Sequence, residues 1–175
     1  IGGANNWSGM SLDQARGIVY VPTGSASFDF YGGRRTGNNL YADCLLALDA
    51  ATGKYIWHFQ NIHHDVWDRD LPTAPALVTV THNGKKTDAV AQPTKSGFVY
   101  LLDRVSGKPL FPVEEKAVPY DTELNGEKLS QTQPMPSFPK PFVRQAFPEA
   151  DINNLLPDSS REEIRKRWSG YRKDH

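Results

Sequence analysis

The stretch ALDAATGKYIW at residues 47–57 decides how this chain folds. It aligns without gaps on LLDRVSGKPLF at residues 101–111, which begins 54 residues further along the chain. An Asp, a Thr or Ser, a Gly-Lys pair and a final aromatic residue recur in register. Each copy predicts two short strands joined by a turn with glycine at the strained position. A repeat of this length, with several strands in each unit, is typical of β-propeller blades.

Strand-like runs separated by turn signals surround both copies over residues 1–111. They lie at 17–22, 45–49, 55–59, 74–81, 88–93, 98–103 and 109–111. Asn83-Gly84 stands between two of them and is a strong signal for a type I′ hairpin. This spacing predicts an all-β sandwich, barrel or propeller, and the repeat favours the propeller.

The character of the sequence changes at residue 112. Prolines stand at 112, 119, 134, 136, 139, 141 and 148, which predicts an extended excursion over 112–157 without strands or helices. A disordered linker is the alternative interpretation. Residues 158–168 then predict a short helix capped by Asp158 or Ser159, with Ile164 and Trp168 on one face. The predicted divisions are therefore 1–111, 112–157 and 158–175.

Composition excludes several classes of partner. The 175 residues carry 20 basic and 20 acidic side chains, so net charge gives no argument for nucleic acid or an anionic membrane surface. No apolar run approaches the ~20 residues of a membrane helix. The single cysteine, Cys44, excludes an internal disulfide and is predicted to be a buried core residue. A start without methionine and an end at residues 173–175 predict an excised piece of a longer protein.

The stretch HHDVWDRD at residues 63–70 is the strongest candidate for a functional site. It holds two histidines, three carboxylates, an arginine and a tryptophan, and perturbed titratable groups tend to collect where chemistry needs them. A solvated acidic loop with a tryptophan plug is the alternative. His63 and His64 are adjacent and point to opposite faces of a strand, so they do not predict a shared metal ion. We expect one of them to orient Asp65 or Asp68 and the other to pack.

These stretches together resemble the quinoprotein dehydrogenases that use pyrroloquinoline quinone (PQQ), most closely the membrane-type glucose dehydrogenase branch. Residues 47–57 match that family's tryptophan-docking motif, Ala-x-Asp-x-x-Thr-Gly-Lys-x-x-Trp, at every specified position, and residues 101–111 are a degenerate copy. Residues 63–72 match its His-His-Asp-x-Trp-Asp-x-Asp-Leu-Pro block. PTKSGF at 93–98 and QTQP at 131–134 are similar to further segments of the family.

The resemblance implies an eight-bladed β-propeller with the cofactor near its central axis. This chain would supply two to three of those blades, followed by the Pro-rich segment and the short C-terminal helix. Trp57 would pack between adjacent blades. The remaining blades of the parent chain would be its partners, and the isolated piece would be inactive because the site needs all blades.

The resemblance also implies roles for individual residues. Asp68 matches the catalytic base, and a carboxylate suits the removal of a hydroxyl proton. Lys95 matches the lysine that contacts the quinone oxygens, where a cation stabilises developing negative charge. Trp7 matches the tryptophan that stacks under the cofactor. A surface lysine and a tryptophan in an inter-blade core are the alternatives for Lys95 and Trp7.

The metal site departs from the family's pattern. The family implies Ca²⁺, or Mg²⁺, held near the cofactor with Asp68 among the ligands. Ser25 stands where the alcohol-oxidising branch has an asparagine ligand, and a hydroxyl is a weaker ligand than an amide oxygen. Asp29 is a candidate to compensate for this weaker ligand.

The function that the resemblance implies is oxidation of a sugar or alcohol hydroxyl, with glucose as the expected substrate and a quinone or another electron acceptor. It implies a periplasmic location and leaves open a membrane anchor elsewhere in the parent protein. A non-catalytic propeller that serves as an assembly scaffold, or a sugar-binding protein, is the rival interpretation.

Overall fold

Antiparallel sheets dominate the computed structural model, which describes residues 3–171. Within these residues the strands form a four-stranded, a three-stranded and a two-stranded sheet. They are β1 (Ser11–Asp13), β2 (Ile18–Pro22), β3 (Cys44–Asp49), β4 (Tyr55–Gln60), β5 (Ala76–His82), β6 (Lys85–Pro93), β7 (Val99–Asp103), β8 (Val113–Ala117) and β9 (Thr132–Pro136). The helices are a 3₁₀ turn (Glu149–Asp151) and α1 (Asp158–Gly170). The predicted ends of the piece fall at residues 1–2 and 172–175, outside the described residues.

The two larger sheets follow the predicted strand pattern. The first has the order β1-β2-β3-β4 and the second the order β5-β6-β7, with every neighbouring pair antiparallel. The six predicted strands from β2 to β7 are confirmed, whereas β1 is too short to leave a periodic pattern. Asn83 and Gly84 both have positive φ angles, 50° and 75°, which confirms the type I′ hairpin.

The two copies of the repeat form the same turn. Oδ1 of Asp49 accepts hydrogen bonds from the N–H groups two and three residues further, at 3.1 and 2.8 Å. Oδ1 of Asp103 does the same at 3.0 and 2.8 Å. Gly53 and Gly107 follow with φ angles of +70° and +69°, a left-handed conformation that glycine adopts without strain. Asp and Gly are therefore required by the turn itself.

Trp57 joins the two larger sheets, as predicted. Only 7% of it is exposed, and its Nε1–H donates to the carbonyl of Arg104 at 3.1 Å. Its ring lies so close to Gly107 that an added Cβ there would be 2.5 Å from Cδ2. The hydroxyl of Tyr20 donates to the same Arg104 carbonyl at 2.9 Å. The hydrophobic core comprises Ile18, Tyr20, Leu45, Ala47, Trp57, Leu71, Val90, Tyr100 and Leu102.

The predicted absence of strands from 112–157 is wrong. β8 and β9 pair as an antiparallel ribbon in which Val113 lies opposite Pro136. Pro134 and Pro136 are two residues apart, so their nitrogens lie on the same edge of β9 and can face away from β8. The Pro134 carbonyl accepts a hydrogen bond from the Tyr100 hydroxyl at 2.8 Å, which ties the ribbon to the second sheet.

Two local predictions are also corrected. Residues 109–111 do not form a strand, since Pro109 makes only an isolated bridge to Leu102. The helix α1 is confirmed, but neither Asp158 nor Ser159 caps it, because the N-cap is Pro157 and no side chain bonds to the helix end. The division at residues 111 and 157 stays a prediction.

Candidate active site

The four predicted site residues lie in loops at one edge of the two larger sheets. Trp7 precedes β1, Ser25 follows β2, Asp68 follows β4 and Lys95 follows β6. Because neighbouring strands are antiparallel, the start of β1 and the ends of β2 and β4 meet at the same edge of the first sheet. The chain between β4 and β5 places the start of β5 at this edge, and because β6 is antiparallel to β5, the end of β6 lies there as well.

Lys95 holds this group together. Its Nζ lies 3.0 Å from Oδ2 of Asp68 and 2.7 Å from Oδ2 of Asp70. It also lies 5.6 Å from the ring centroid of Trp7, within range of a cation–π interaction. Lys95 therefore contacts two carboxylates and one aromatic ring of the candidate site, unlike a solvated surface lysine.

A cavity of about 350 Å³ opens beside these residues. Trp7, Ser25 and Asp68 line it together with Asp29 and Asp70. Trp7 is 53% exposed, in contrast to the buried Trp57, so its ring is a wall of the cavity rather than part of the core. The structure thus brings all four predicted site residues together.

The shared lysine affects the two carboxylates differently. Burial raises the pKa of Asp68, and the nearby Asp70 raises it further, although Lys95 opposes both. Burial would raise the pKa of Asp70 as well, but hydrogen bonds from Lys95 and the Ser25 N–H outweigh it and lower that pKa. Burial likewise opposes the charge of Lys95, yet its two carboxylate partners raise its pKa above the usual range. Asp70 is thus the more firmly ionised partner of Lys95.

Ser25 is buried and turned inward. Its backbone N–H donates to Oδ1 of Asp70 at 2.6 Å, and its hydroxyl donates to Oδ2 of Asp65. Oδ1 of Asp43 lies 3.4 Å from the same hydroxyl oxygen. Burial, together with the charges of Asp65 and Asp70, raises the pKa of Asp43 to about 8. The raised pKa favours the neutral form of Asp43 in this buried group of carboxylates.

The backbone around Asp68 depends on Asp65. Oδ1 of Asp65 accepts the N–H of Trp67 at 2.8 Å, and Oδ2 accepts the N–H of Arg69 at 2.6 Å. Asp68 lies between these two residues with a φ angle of 56°, a left-handed conformation that is uncommon outside glycine. Arg35 supports the same turn by donating to the Asp65 carbonyl at 2.6 Å.

The expected roles of His63 and His64 are wrong. Nε2 of His63 contacts Oε1 of Glu115 at 3.0 Å, and Nε2 of His64 contacts Oε1 of Glu127 at 2.7 Å. Both histidines therefore bind carboxylates of the Pro-rich segment rather than orienting Asp65 or Asp68. Nδ1 of His64 also contacts the carbonyl of Gly37, at 2.7 Å.

Sequence reasoning missed Asp70, Asp65 and Glu127 as parts of the site and its support. The charge density of residues 63–70 was visible, but only the backbone conformation shows that Asp68 and Asp70 line the cavity while Asp65 binds the Ser25 hydroxyl. Glu127 had no signal at all, because it reaches His64 only through the course of the Pro-rich segment.

The predicted metal ligands do not form a complete ion site here. Residues 3–171 contain no group of three or more His, Cys, Asp or Glu side chains that could hold a metal ion. The Ser25 hydroxyl donates a hydrogen bond to Asp65, and the Asp68 carboxylate forms an ion pair with Lys95. Both predicted ligands, Ser25 and Asp68, nevertheless line the cavity.

The profile of the family described as "PQQ: Glucose/ethanol/alcohol dehydrogenase, beta-propeller domain" matches residues 1–175. The chain belongs to this family. Its two larger sheets are partial blades of the family's β-propeller.

Several known quinoproteins are similar to this chain. Quinoprotein glucose dehydrogenase A of Acinetobacter calcoaceticus is 42% identical over 74% of this chain and 17% of its own length. Quinate/shikimate dehydrogenase (quinone) of Acinetobacter baylyi is 41% identical over 87% of this chain and 19% of its own length. The crystal structure of quinohemoprotein alcohol dehydrogenase from Comamonas testosteroni superimposes with a TM-score of 0.61 at 32% identity, over 77% of this chain and 20% of that one.

The quinoprotein chain spans about a fifth or less of the length of these relatives. Within residues 3–171 no helix has both the length and the apolar character needed to cross a membrane. The relatives act on different substrates by name, so the family fixes the type of cofactor and chemistry more firmly than the substrate.

The residues around the cavity fit PQQ, the cofactor of this family. Trp7 offers an exposed aromatic face, which suits a flat ring system. The Lys95 ammonium beside that face suits the oxygens of an anionic quinone. The two predicted metal ligands, Ser25 and Asp68, also line the cavity, but residues 3–171 contain no group of three or more His, Cys, Asp or Glu side chains that could hold a divalent ion.

Proposed function

We propose that the protein containing this chain is a PQQ-dependent dehydrogenase that oxidises a hydroxyl group of a sugar or an alcohol. Glucose is the expected substrate, and a quinone or another acceptor takes the electrons. The observation that supports this is the meeting of Trp7, Asp68 and Lys95 from three separate loops: Trp7 and Asp68 line one cavity, and Lys95 contacts both of them. A scaffold has no need to assemble a carboxylate, a cation and an open aromatic face in this way.

Bound PQQ would supply the acceptor for the two electrons that leave the substrate as hydride. The Asp68 carboxylate would accept the proton of the substrate hydroxyl, since it lies on the cavity surface. Its raised pKa means that it binds a proton more readily than an ordinary aspartate does. Lys95 would stabilise the negative charge that accumulates as hydride is transferred. Trp7 would hold the cofactor by stacking.

Asp70 would fix the position of the Lys95 ammonium and affect the charge of Asp68. Its ionised carboxylate lies 2.7 Å from Lys95 and fixes the ammonium beside the cavity. It also disfavours a second negative charge on Asp68, as the raised pKa of that residue reflects. We keep Ca²⁺ or Mg²⁺ in the proposal, with Asp68 as a ligand, and derive no step from it. A periplasmic location, implied by the family resemblance, is also part of the proposal.

The test is dye-linked oxidation of aldoses and alcohols by the full-length protein after reconstitution with PQQ and Ca²⁺. Turnover that depends on PQQ, with glucose oxidised faster than simple alcohols or quinate, is the expected result. Absence of both turnover and PQQ uptake would contradict the proposal and favour the scaffold. Turnover by the isolated 175-residue chain would contradict the need for the other blades.

A further inference from the structure

Ser25 makes two hydrogen bonds to the loop that carries Asp68. Its N–H donates to Oδ1 of Asp70, two residues after Asp68, and its hydroxyl donates to Oδ2 of Asp65, three residues before it. The approach is close, because a Cβ added to Gly24 would lie 2.5 Å from Oδ1 of Asp70. One residue of the first sheet therefore fixes the loop on both sides of Asp68.

Asp65 transmits this attachment to the backbone of Asp68. Its carboxylate accepts the N–H groups of Trp67 and Arg69, the two direct neighbours of Asp68. A non-glycine residue with a φ angle of 56° needs such support, because an L side chain is disfavoured in this conformation. Without its bond to Ser25, the buried Asp65 carboxylate would lose the only side-chain donor that the described contacts give it.

We infer that Ser25 and Asp65 form a positioning pair that holds the backbone of Asp68 in its left-handed conformation. The inference rests on the proposed function for its catalytic consequence. Its structural part stands on the hydrogen bonds alone. Ser25 is a positioning residue, since it reaches the cavity chemistry only through Asp65 and Asp70.

The first experiment measures amide hydrogen exchange in the full-length protein, using peptides that cover residues 65–70. Ser25→Ala removes the hydroxyl, and we expect faster exchange at the N–H groups of Trp67 and Arg69. Ser25→Thr keeps a hydroxyl and should retain the protection. Ser8→Ala is the matched control, because the buried Ser8 hydroxyl has no hydrogen-bond partner among the described residues and its loss should leave this peptide unchanged.

The second experiment separates positioning from metal binding in the reconstituted enzyme. We expect Ser25→Ala to lower kcat by about tenfold or more, as for a lost hydrogen bond to a charged group, while KM and the Ca²⁺ concentration for half-activation stay at wild-type values. A higher Ca²⁺ requirement, with kcat restored by added Ca²⁺, would overturn the inference and make Ser25 a ligand. Unchanged hydrogen exchange in Ser25→Ala would overturn it as well.

The two proposals fail separately. If the wild-type protein shows no PQQ-dependent turnover, yet Ser25→Ala speeds exchange at Trp67 and Arg69, the proposed function is wrong and the attachment of the loop by Ser25 is supported. If turnover is present and exchange does not respond, the proposed function stands and the positioning pair is wrong.

Discussion

Asp68, Asp70 and Lys95 divide their roles through charge. Two carboxylates share one ammonium, and the pKa is raised for Asp68 and lowered for Asp70. Neighbouring titratable groups whose pKa values are pushed apart in this way suit different tasks in one site. Asp70 is the permanent counter-ion of Lys95, which leaves Asp68 as the group that can take a proton.

The first prediction concerns the base itself. Asp68→Asn removes the proton acceptor but keeps the size of the side chain, so kcat should fall by about 10²–10⁴-fold. Cofactor binding should persist, because Trp7 and Lys95 are unchanged. The measurements are dye-linked turnover and PQQ titration of the full-length protein followed by tryptophan fluorescence. Activity close to wild type in this variant would exclude Asp68 as the base.

The residues of the site could be predicted from the sequence only as far as motifs carry them. Trp7, Asp68 and Lys95 were found by resemblance, and they do lie together. The direction of the Ser25 hydroxyl could not be predicted, because it depends on the inward path of the loop after β2. Asp70 could not be separated from Asp68 by sequence, since both lie in one charged stretch and only backbone conformation distinguishes them.

At the scale of elements, the repeat connects the two larger sheets as well as forming a turn. We call the contact between Trp57 and Gly107 the joint. The two glycines at equivalent positions have the same φ angle, but Gly107 also lies against the face of Trp57. The joint is therefore made by the aromatic end of the first copy and the glycine of the second. A side chain cannot enter between them without moving one of the two sheets.

The second prediction compares two glycine substitutions with similar backbone strain. Gly84→Ala, at φ +75° with nothing within 4 Å of its added Cβ, should cost only the ~1–2 kcal/mol of a left-handed alanine. Gly107→Ala, at φ +69°, should cost about 1–3 kcal/mol more, because its methyl group overlaps the Trp57 ring. Denaturant unfolding of the full-length protein measures both. Equal losses of stability would contradict the joint.

The Pro-rich segment is a structural support of the site rather than a loose excursion. Its Glu127 side chain has no exposed surface and accepts hydrogen bonds from His64 and from the Gly32 N–H. The hydroxyl of Tyr31 donates to the carbonyl of Asn125 at 2.8 Å. The loop between β2 and β3, which carries Asp29 to the cavity, is thereby held against residues 124–128.

The third prediction tests this support. Oε1 of Glu127 accepts from both His64 and the Lys128 N–H, and Oε2 accepts from the Gly32 N–H. Glu127→Gln would therefore turn an amide NH₂ toward a donor whichever way it is placed. We expect a loss of about 2–3 kcal/mol, because a buried donor would lose its acceptor, and faster hydrogen exchange over residues 28–39.

The exposed Glu123 provides the control, because Glu123→Gln should change stability by less than about 0.5 kcal/mol. If Glu127→Gln is equally mild, the Pro-rich segment does not hold the loop.

The strands of the two larger sheets were predictable because alternating apolar residues face their core. The ribbon of β8 and β9 was not, because its prolines and charges leave no alternating pattern and its pairing depends on a distant tyrosine hydroxyl.

At the scale of the whole molecule, two arginines link the larger sheets. Arg104, after β7, contacts Oδ2 of Asp13 in β1 at 3.2 Å and donates to carbonyls of β5 and β6. Arg16 contacts Asp13 at 2.8 Å and Asp88 of β6 at 2.5 Å. The buried Asp13 carboxylate is thus shared between both arginines at the boundary of the sheets.

The fourth prediction follows from the pKa of Asp13. Burial would raise this pKa, but hydrogen bonds from Arg16 and Arg104 outweigh it and lower the value in the folded protein. The stability that Asp13 contributes is therefore complete above its unfolded pKa and is lost as the pH falls through the lower, folded value. Asp13→Asn should cost about 2 kcal/mol at pH 7, and its difference from wild type should shrink in strong acid.

The pair of the exposed Arg144 and the half-buried Asp151 is the control for this ion pair. Asp151→Asn should cost at most about 0.5 kcal/mol, since an ion pair in solvent contributes little. Unfolding curves recorded across the acid range provide the comparison. A difference between Asp13→Asn and wild type that grows on acidification would contradict the assignment.

The contact between Trp57 and Gly107 has a direction, because the first repeat contributes its aromatic end and the second contributes its glycine. A head-to-tail contact of this kind either closes into a ring or continues as an open spiral, depending on the rotation from one unit to the next. A propeller is the closed solution. A substitution that changes the angle between two blades at such a contact therefore shifts every later blade. The misfit appears where the first and last blades must meet, far from the substituted residue.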